Sequence, residues 1–281
     1  MIRSRRPAWL QKKISPAAHR DMDQLLEDLH LHTVCREAHC PNISECYGSN
    51  QATFLILGTI CTRLCSFCNV TKRLPLPADP DEPRRVAEAV RRLQLRHVVI
   101  TSPTRDDLPD GGAGLYAETV HEIRAASPDT TVELLIPDFQ GERENLETVV
   151  SARPDILGHN LETVPRLYHI REGADYRRSL QVLKVVGEMD SAVRSKSGLM
   201  LGMGEREDEV VGVFADLLDA GCRYLSIGQY LAPSKRHYPV LEYLPPEAFD
   251  RFREMALAMG FGHVESGPYV RSSYLAERYG K

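Results

Sequence analysis

The stretch Gly58-Thr-Ile-Cys-Thr-Arg-Leu-Cys-Ser-Phe-Cys-Asn69 decides how this chain is read. Cys61, Cys65 and Cys68 stand at spacing C-x3-C-x2-C, too tight for three separate structural roles, so the thiols should converge on one object. Ferredoxin-type sites use four cysteines, which saturate every iron of a [4Fe–4S] cluster. Three cysteines leave one iron with an open coordination position, where a substrate or cosubstrate binds. Zinc sites more often complete four protein ligands from paired C-x2-C units, so a cluster is the better reading. The apolar run Phe54-Leu-Ile-Leu57 reads as a short buried strand. The cysteines then fall on the loop at that strand's C-terminal end, where barrel enzymes carry their chemistry.

Downstream, the pattern alternates between helix and strand. Strands are expected at 97–101, 131–136, 155–159, 196–203 and 224–230, with helices at 82–95, 114–126, 144–151, 179–190, 207–220 and 245–260. With the strand at 54–57 this makes six βα units, a right-handed parallel arrangement. Six units do not close an eight-stranded barrel, so the expected fold is an open, partial (β/α)6 TIM-type barrel with N- and C-terminal extensions. The expected division is 1–50, 51–235 and 236–281. Upstream, residues 21–32 read as a helix with Asp21 as N-cap. The first twenty residues, with Arg3, Arg5, Arg6, Lys12, Lys13 and Arg20, read as an extended basic arm. The net charge of −4 gives no case for nucleic acid or a membrane surface. No secretory leader is expected, and seven cysteines, an odd count, argue against a disulfide framework and for a reducing cytoplasm. Cys222 reads as a buried small hydrophobe.

A second cysteine set lies upstream: Cys35, Cys40 and Cys46, at C-x4-C-x5-C. It too lacks a fourth ligand. His39 is adjacent but ill placed to share a metal face with Cys40. The first triplet, with Phe67 just before its last cysteine, resembles the radical S-adenosylmethionine (SAM) superfamily. Both triplets in this order, followed by Arg271-Ser-Ser-Tyr274, resemble the lipoyl synthase family. The likeness extends to Arg6-Pro-Ala-Trp-Leu10, Arg105-Asp-Asp-Leu-Pro-Asp-Gly-Gly112, His159-Asn-Leu-Glu-Thr163, the segment 196–205 and the segment 229–237, nearly the whole chain. A methylthiotransferase would add a larger N-terminal domain and a nucleic-acid-binding tail, and biotin synthase lacks the upstream triplet.

The resemblance implies two [4Fe–4S] clusters and SAM. Cys61, Cys65 and Cys68 would hold the cluster that cleaves SAM to a 5′-deoxyadenosyl radical. Cys35, Cys40 and Cys46 would hold an auxiliary cluster completed by Ser273; spacing alone leaves Ser272 open. Sulfur from that cluster would enter C6 and C8 of an octanoyl chain on a lysine of a lipoyl carrier domain or H protein. An external electron donor and an iron–sulfur carrier for rebuilding are the further implied partners, and the chain is expected to act as a monomer. Ligands of parallel sheets sit at the C-terminal ends of strands. That rule selects Thr101, Ser102, Asn160, Glu162, Lys196, Glu205 and Gln229 as candidate SAM contacts. The tight polar loop of Asp106, Asp107, Gly111 and Gly112 is a candidate channel lining or a simple turn, and Arg178 and Arg236 are weaker candidates for neutralising charge.

Overall fold

A computed structural model describes residues 6–12, 15 and 19–280. The arm residues Arg3, Arg5 and Lys13 lie outside these. The chain opens with α1 (Arg20–Asp28), β1 (His32–Thr33), α2 (Val34–Glu37) and α3 (Ile43–Gly48), then β2 (Thr53–Leu55). The loop bearing the first triplet is pinned by two short strands, β3 (Ile60–Cys61) and β4 (Thr71–Lys72). Alternation follows: α4 (Glu82–Leu93), β5 (His97–Thr101), α5 (Ala113–Ala126), β6 (Thr131–Leu135), α6 (Arg143–Ser151) and β7 (Ile156–Gly158). Then come α7 (Tyr176–Met189), β8 (Arg194–Leu201), α8 (Glu207–Asp219), β9 (Tyr224–Gln229), α9 (Pro246–Met259) and β10 (His263–Gly267).

One sheet runs β1-β2-β5-β6-β7-β8-β9-β10, parallel except for β1. It is the open, partial barrel expected from six βα units, extended at each edge. The additional parallel strand β10 escaped notice because His-Val-Glu-Ser-Gly offers one apolar residue. Helix α1 begins at Arg20, one residue before the expected cap, and the His19 side chain at its N-cap bonds to Ser44 Oγ instead of capping the helix. Asp21 instead sits in the first turn, where its charge favours the helix dipole.

Period-two alternation sorts the strand residues. Val98, Ile100, Val132 and Leu134 face one apolar layer under α4 to α7; Leu199, Leu201, Leu225 and Ile227 face another under α8 and α9. The alternate positions point into the barrel and are largely polar. Lys196 Nζ reaches Glu133 Oε1 at 2.7 Å, both side chains 2% exposed, and His97 Nε2 lies 3.1 Å from Glu133 Oε2. This buried group is covered by the C-terminal turn: Lys196 Nζ sits 3.7 Å over the Tyr279 ring, and the Tyr279 hydroxyl donates to Leu225 O. Gly228 lets the tail cross the barrel. A Cβ there would lie 2.0 Å from the Val270 carbonyl oxygen. The tail's route to the upstream cysteines thus depends on a residue with no side chain.

Candidate active site

The first triplet rides on a loop clamped at both ends. Leu57 and Gly58 take positive φ (65° and 81°), turning the chain off β2. The Leu57 amide donates to Glu82 Oε2 at 2.7 Å, and its carbonyl accepts from Arg105 Nη1 at 2.9 Å. Arg105, 1% exposed, also donates to Leu76 O and forks onto Asp107. Arg63 forks onto Asp106 and Asp138 from inside the loop. The acidic pair therefore clamps the loop instead of lining a channel. Arg178 is likewise bound to Asp138, and Arg236 is exposed. Cys68 is pushed up to about 12 by burial, then by the neighbouring Cys65 and Cys61; burial also raises Cys65. Such thiols stay protonated until a metal takes the proton's place.

Burial also holds the Glu82 carboxyl at about 7, against partial relief from the Leu57 amide and Arg85. A carboxyl whose folded value is raised stabilises fully below its unfolded value, near 4.5, and loses that contribution as pH climbs to about 7. The cluster-free chain should therefore lose up to roughly 3 kcal/mol from this group between pH 4.5 and 7. Glu82→Gln keeps an acceptor for the Leu57 amide and should flatten that slope, read as the difference between variant and parent in urea unfolding at pH 5 and pH 8. An unchanged slope removes Glu82 as its source.

The second triplet is set by two short helices. Thr33 caps α2 through Arg36 N, Cys40 N returns to Cys35 O at 3.0 Å, and Cys46 N to Asn42 O at 2.9 Å. Burial and the neighbouring thiols push Cys35 to about 11 and Cys46 to about 12. Asn42 donates to Tyr269 O at 2.7 Å and accepts from Lys12 Nζ, which also reaches Glu45 Oε2 at 2.5 Å; Tyr274 donates to Glu45 Oε1. With Leu10 1% exposed, this part of the arm is packed, contrary to the extended arm expected. The tail's two serines diverge. Ser273 Oγ accepts from Thr53 Oγ1 at 2.6 Å and lines a cavity of about 600 Å³ with Cys35, Cys40 and Cys46. Ser272 Oγ accepts from Asn160 Nδ2 at 2.5 Å and does not line that cavity. His39 does not line it either.

Between the triplets lies a cavity of about 490 Å³. Cys35, Cys40 and Ser273 line it together with Phe67, Cys68, Thr101, Asn160 and Glu162, and Met200 and Tyr230 add apolar surface. An adjoining pocket of about 140 Å³ brings Cys65, Ser102, His159 and Arg171 to Thr101, Asn160 and Glu162. Glu162 has φ 68°, and its backbone is tied to Gly198 and Met200. Arg171 donates to the carbonyls of Asn160 and Leu161 and to the Tyr168 hydroxyl, while its Nε is buried without a protein partner. His159 Nδ1 lies 2.9 Å from Ile136 O, and burial lowers the ring to about 4, so Nε2 is a neutral, unpartnered acceptor. Neither Arg171 nor His159 was singled out in the sequence.

Three candidates lie apart from these cavities because their side chains are already committed. Lys196 is in the buried pair with Glu133. Glu205 accepts from the amides of Gly202 and Met203 and from Thr163 Oγ1. Gln229 donates to Leu201 O and Glu242 O and accepts from Leu244 N. Cys222 is 0% exposed, as expected. Among the described residues no three His, Cys, Asp or Glu side chains crowd tightly enough for a single ion. Three thiols serving one cubane each take a different iron, so a cluster does not require them to meet at a single ion.

Fold and first triplet together define a radical SAM enzyme, and residues 55–228 match the family described as Radical SAM superfamily. Streptococcus suis SuiB bound to precursor peptide SuiA has a similar fold, with TM-score 0.58 at 11% identity over 76% of this chain and 48% of that one. Lipoyl synthase of Geotalea uraniireducens (strain Rf4) is 72% identical over 277 residues, 99% of this chain and 98% of its own length. Lipoyl synthase of Geobacter metallireducens is 71% identical over 275 residues, 98% and 97% of the two chains. The chain belongs to the lipoyl synthase family.

Proposed function

We propose that this chain inserts two sulfur atoms, at C6 and C8, into an octanoyl group amide-linked to a carrier lysine. The observation that carries the reading is the shared cavity: Cys35, Cys40 and Ser273 line one space of about 490 Å³ with Cys68, Phe67 and Glu162. An acyl chain threaded there passes between the two triplets, within reach of both. When bound, the clusters supply the electron that splits SAM and the sulfide that enters the chain.

The protein's own groups bind and orient. Cys61, Cys65 and Cys68 are the ligands of the SAM-cleaving cluster, and Cys35, Cys40, Cys46 and Ser273 those of the auxiliary one. Arg171, with a free buried N–H beside Cys65, suits the SAM carboxylate. His159 offers an acceptor to the ammonium. Asn160 and Glu162 suit the ribose hydroxyls, Thr101 and Ser102 the methionine end, and Phe67, Met200 and Tyr230 the adenine and the acyl chain. A serine oxygen is a poorer match for iron than thiolate, so Ser273 would be the weakest of the four residues holding the auxiliary cluster. Anaerobic reconstitution, then SAM, reductant and an octanoyl-lysine peptide, tests the reading: lipoyl peptide should appear in the mass spectrum, and deoxyadenosine without sulfur insertion would refute it.

No helix among the described residues is long and apolar enough to cross a membrane. The action proposed is that of a cytoplasmic monomer on a lipoyl carrier domain or H protein, with an external electron donor. Arg6 and Lys12 line the shared cavity, where the carrier must approach. Removing residues 1–15 should slow turnover of an acidic carrier more than of a short peptide, and the gap should narrow with added salt. Equal losses on both substrates would show that the arm only supports the cluster site.

A further inference from the structure

The auxiliary site has two mouths. The inner one is the shared cavity. The outer cavity, of about 600 Å³, begins at the same thiols and ends elsewhere. Cys35, Cys40, Thr53, Arg271 and Ser273 line both cavities, whereas Cys46 lines only the outer one. The outer rim comprises Ser49, Asn50, Gln94 and Arg96, all exposed. Strands β5 and β6 fix the relation between the two. Their first residues, His97 and Thr131, line the outer cavity; Thr101 and Leu135, their last, line the inner one. At about 3.3 Å per residue, the two ends of each strand stand roughly 13 Å apart.

Mass balance supplies the reason for a second mouth. This inference rests on the function proposed above. Two of four sulfides leave in each round, so a second round needs new sulfide and iron. Delivery through the inner mouth would require the carrier-linked acyl chain to leave first. Delivery through the outer mouth would not.

We propose that the outer mouth is the loading port of the auxiliary site, and that an iron–sulfur carrier protein docks on its rim. The transfer is a ligand exchange without redox change. Cys46 displaces the first carrier thiolate, and Cys40 and Cys35 follow. Ser273, which lines both cavities, displaces the fourth carrier thiolate, and the four protons, three from the thiols and one from the Ser273 hydroxyl, pass to the four released carrier thiolates.

The test uses the fully loaded chain carrying Ser49→Cys. Six cysteines are then cluster-bound and Cys222 is 0% exposed, which leaves the introduced thiol free for a polymer-bearing maleimide. Tagged and untagged samples complete one round on octanoyl-lysine peptide and are then given a protein carrier holding a [4Fe–4S] cluster. Iron per chain and visible absorption follow the refilling. The tagged sample should refill at least tenfold more slowly with unchanged first-round yield, and the untagged sample should refill equally fast with or without bound lipoyl peptide. Equal refilling of tagged and untagged chains, or refilling of the untagged chain blocked by bound peptide, would overturn the port. Absence of lipoyl product in the first round of untagged chain would instead count against the proposed function.

Discussion

With Cys61, Cys65 and Cys68 all changed to alanine, the reconstituted chain is expected to bind about four irons in place of about eight and to release no 5′-deoxyadenosine. The complementary variant, with Cys35, Cys40 and Cys46 changed, should also bind about four irons but still cleave SAM. The asymmetry follows from the two surroundings. The pocket holding His159, Arg171 and Ser102 adjoins Cys65, whereas the second triplet faces Thr53, Asn42 and the C-terminal tail. The substitutions should leave the fold intact, because the loop is clamped by Glu82, Arg105 and Arg63 and not by its thiols. Iron analysis and deoxyadenosine yield decide the matter; equal SAM cleavage by both triple variants would undo the assignment of roles.

Ser273→Cys is expected to separate assembly from turnover. Thiolate binds iron well, so the auxiliary cluster should still form. Sulfur insertion should fall sharply, by about tenfold or more, because that corner no longer opens readily. Ser273→Ala should give a labile cluster. Deoxyadenosine should persist in both variants, since Ser273 does not line the pocket that holds Cys65, His159 and Arg171. Ser272→Ala should act differently: it releases the Asn160 amide, next to Glu162, and so should weaken SAM binding more than cluster retention. If Ser273→Cys makes lipoyl product at the parent rate, the serine is not the functional ligand.

The barrel strands were legible because each is buried on its outer face and apolar enough to read, as in His97-Val-Val-Ile-Thr101. Strand β10 was not, because its alternate positions carry His263 and Glu265, which pair with each other, and Glu265 also meets the tail residue Arg278. The cysteines were legible through local spacing. The rest of the site depends on which way side chains at strand ends turn, which sequence does not encode locally. Asn160 and Gln229 both follow the rule of strand ends, yet one lines the cavity and the other is spent holding the 242–244 segment. Arg171 gave no signal because it lies in a turn with no periodic pattern, and only folding brings its unpartnered Nε to the pocket that holds Cys65.

The central claim is that the upstream triplet and Ser273 hold the sulfur that is inserted. It is tested most directly by reconstituting the chain with heavy-isotope sulfide, removing free sulfide, and running one round on octanoyl-lysine peptide with SAM and reductant. The account predicts lipoyl peptide carrying two heavy sulfurs, with two deoxyadenosines formed per product and half the chain's iron released. Product bearing sulfur of natural isotopic mass, or doubly labelled product from the chain lacking Cys35, Cys40 and Cys46, would contradict it.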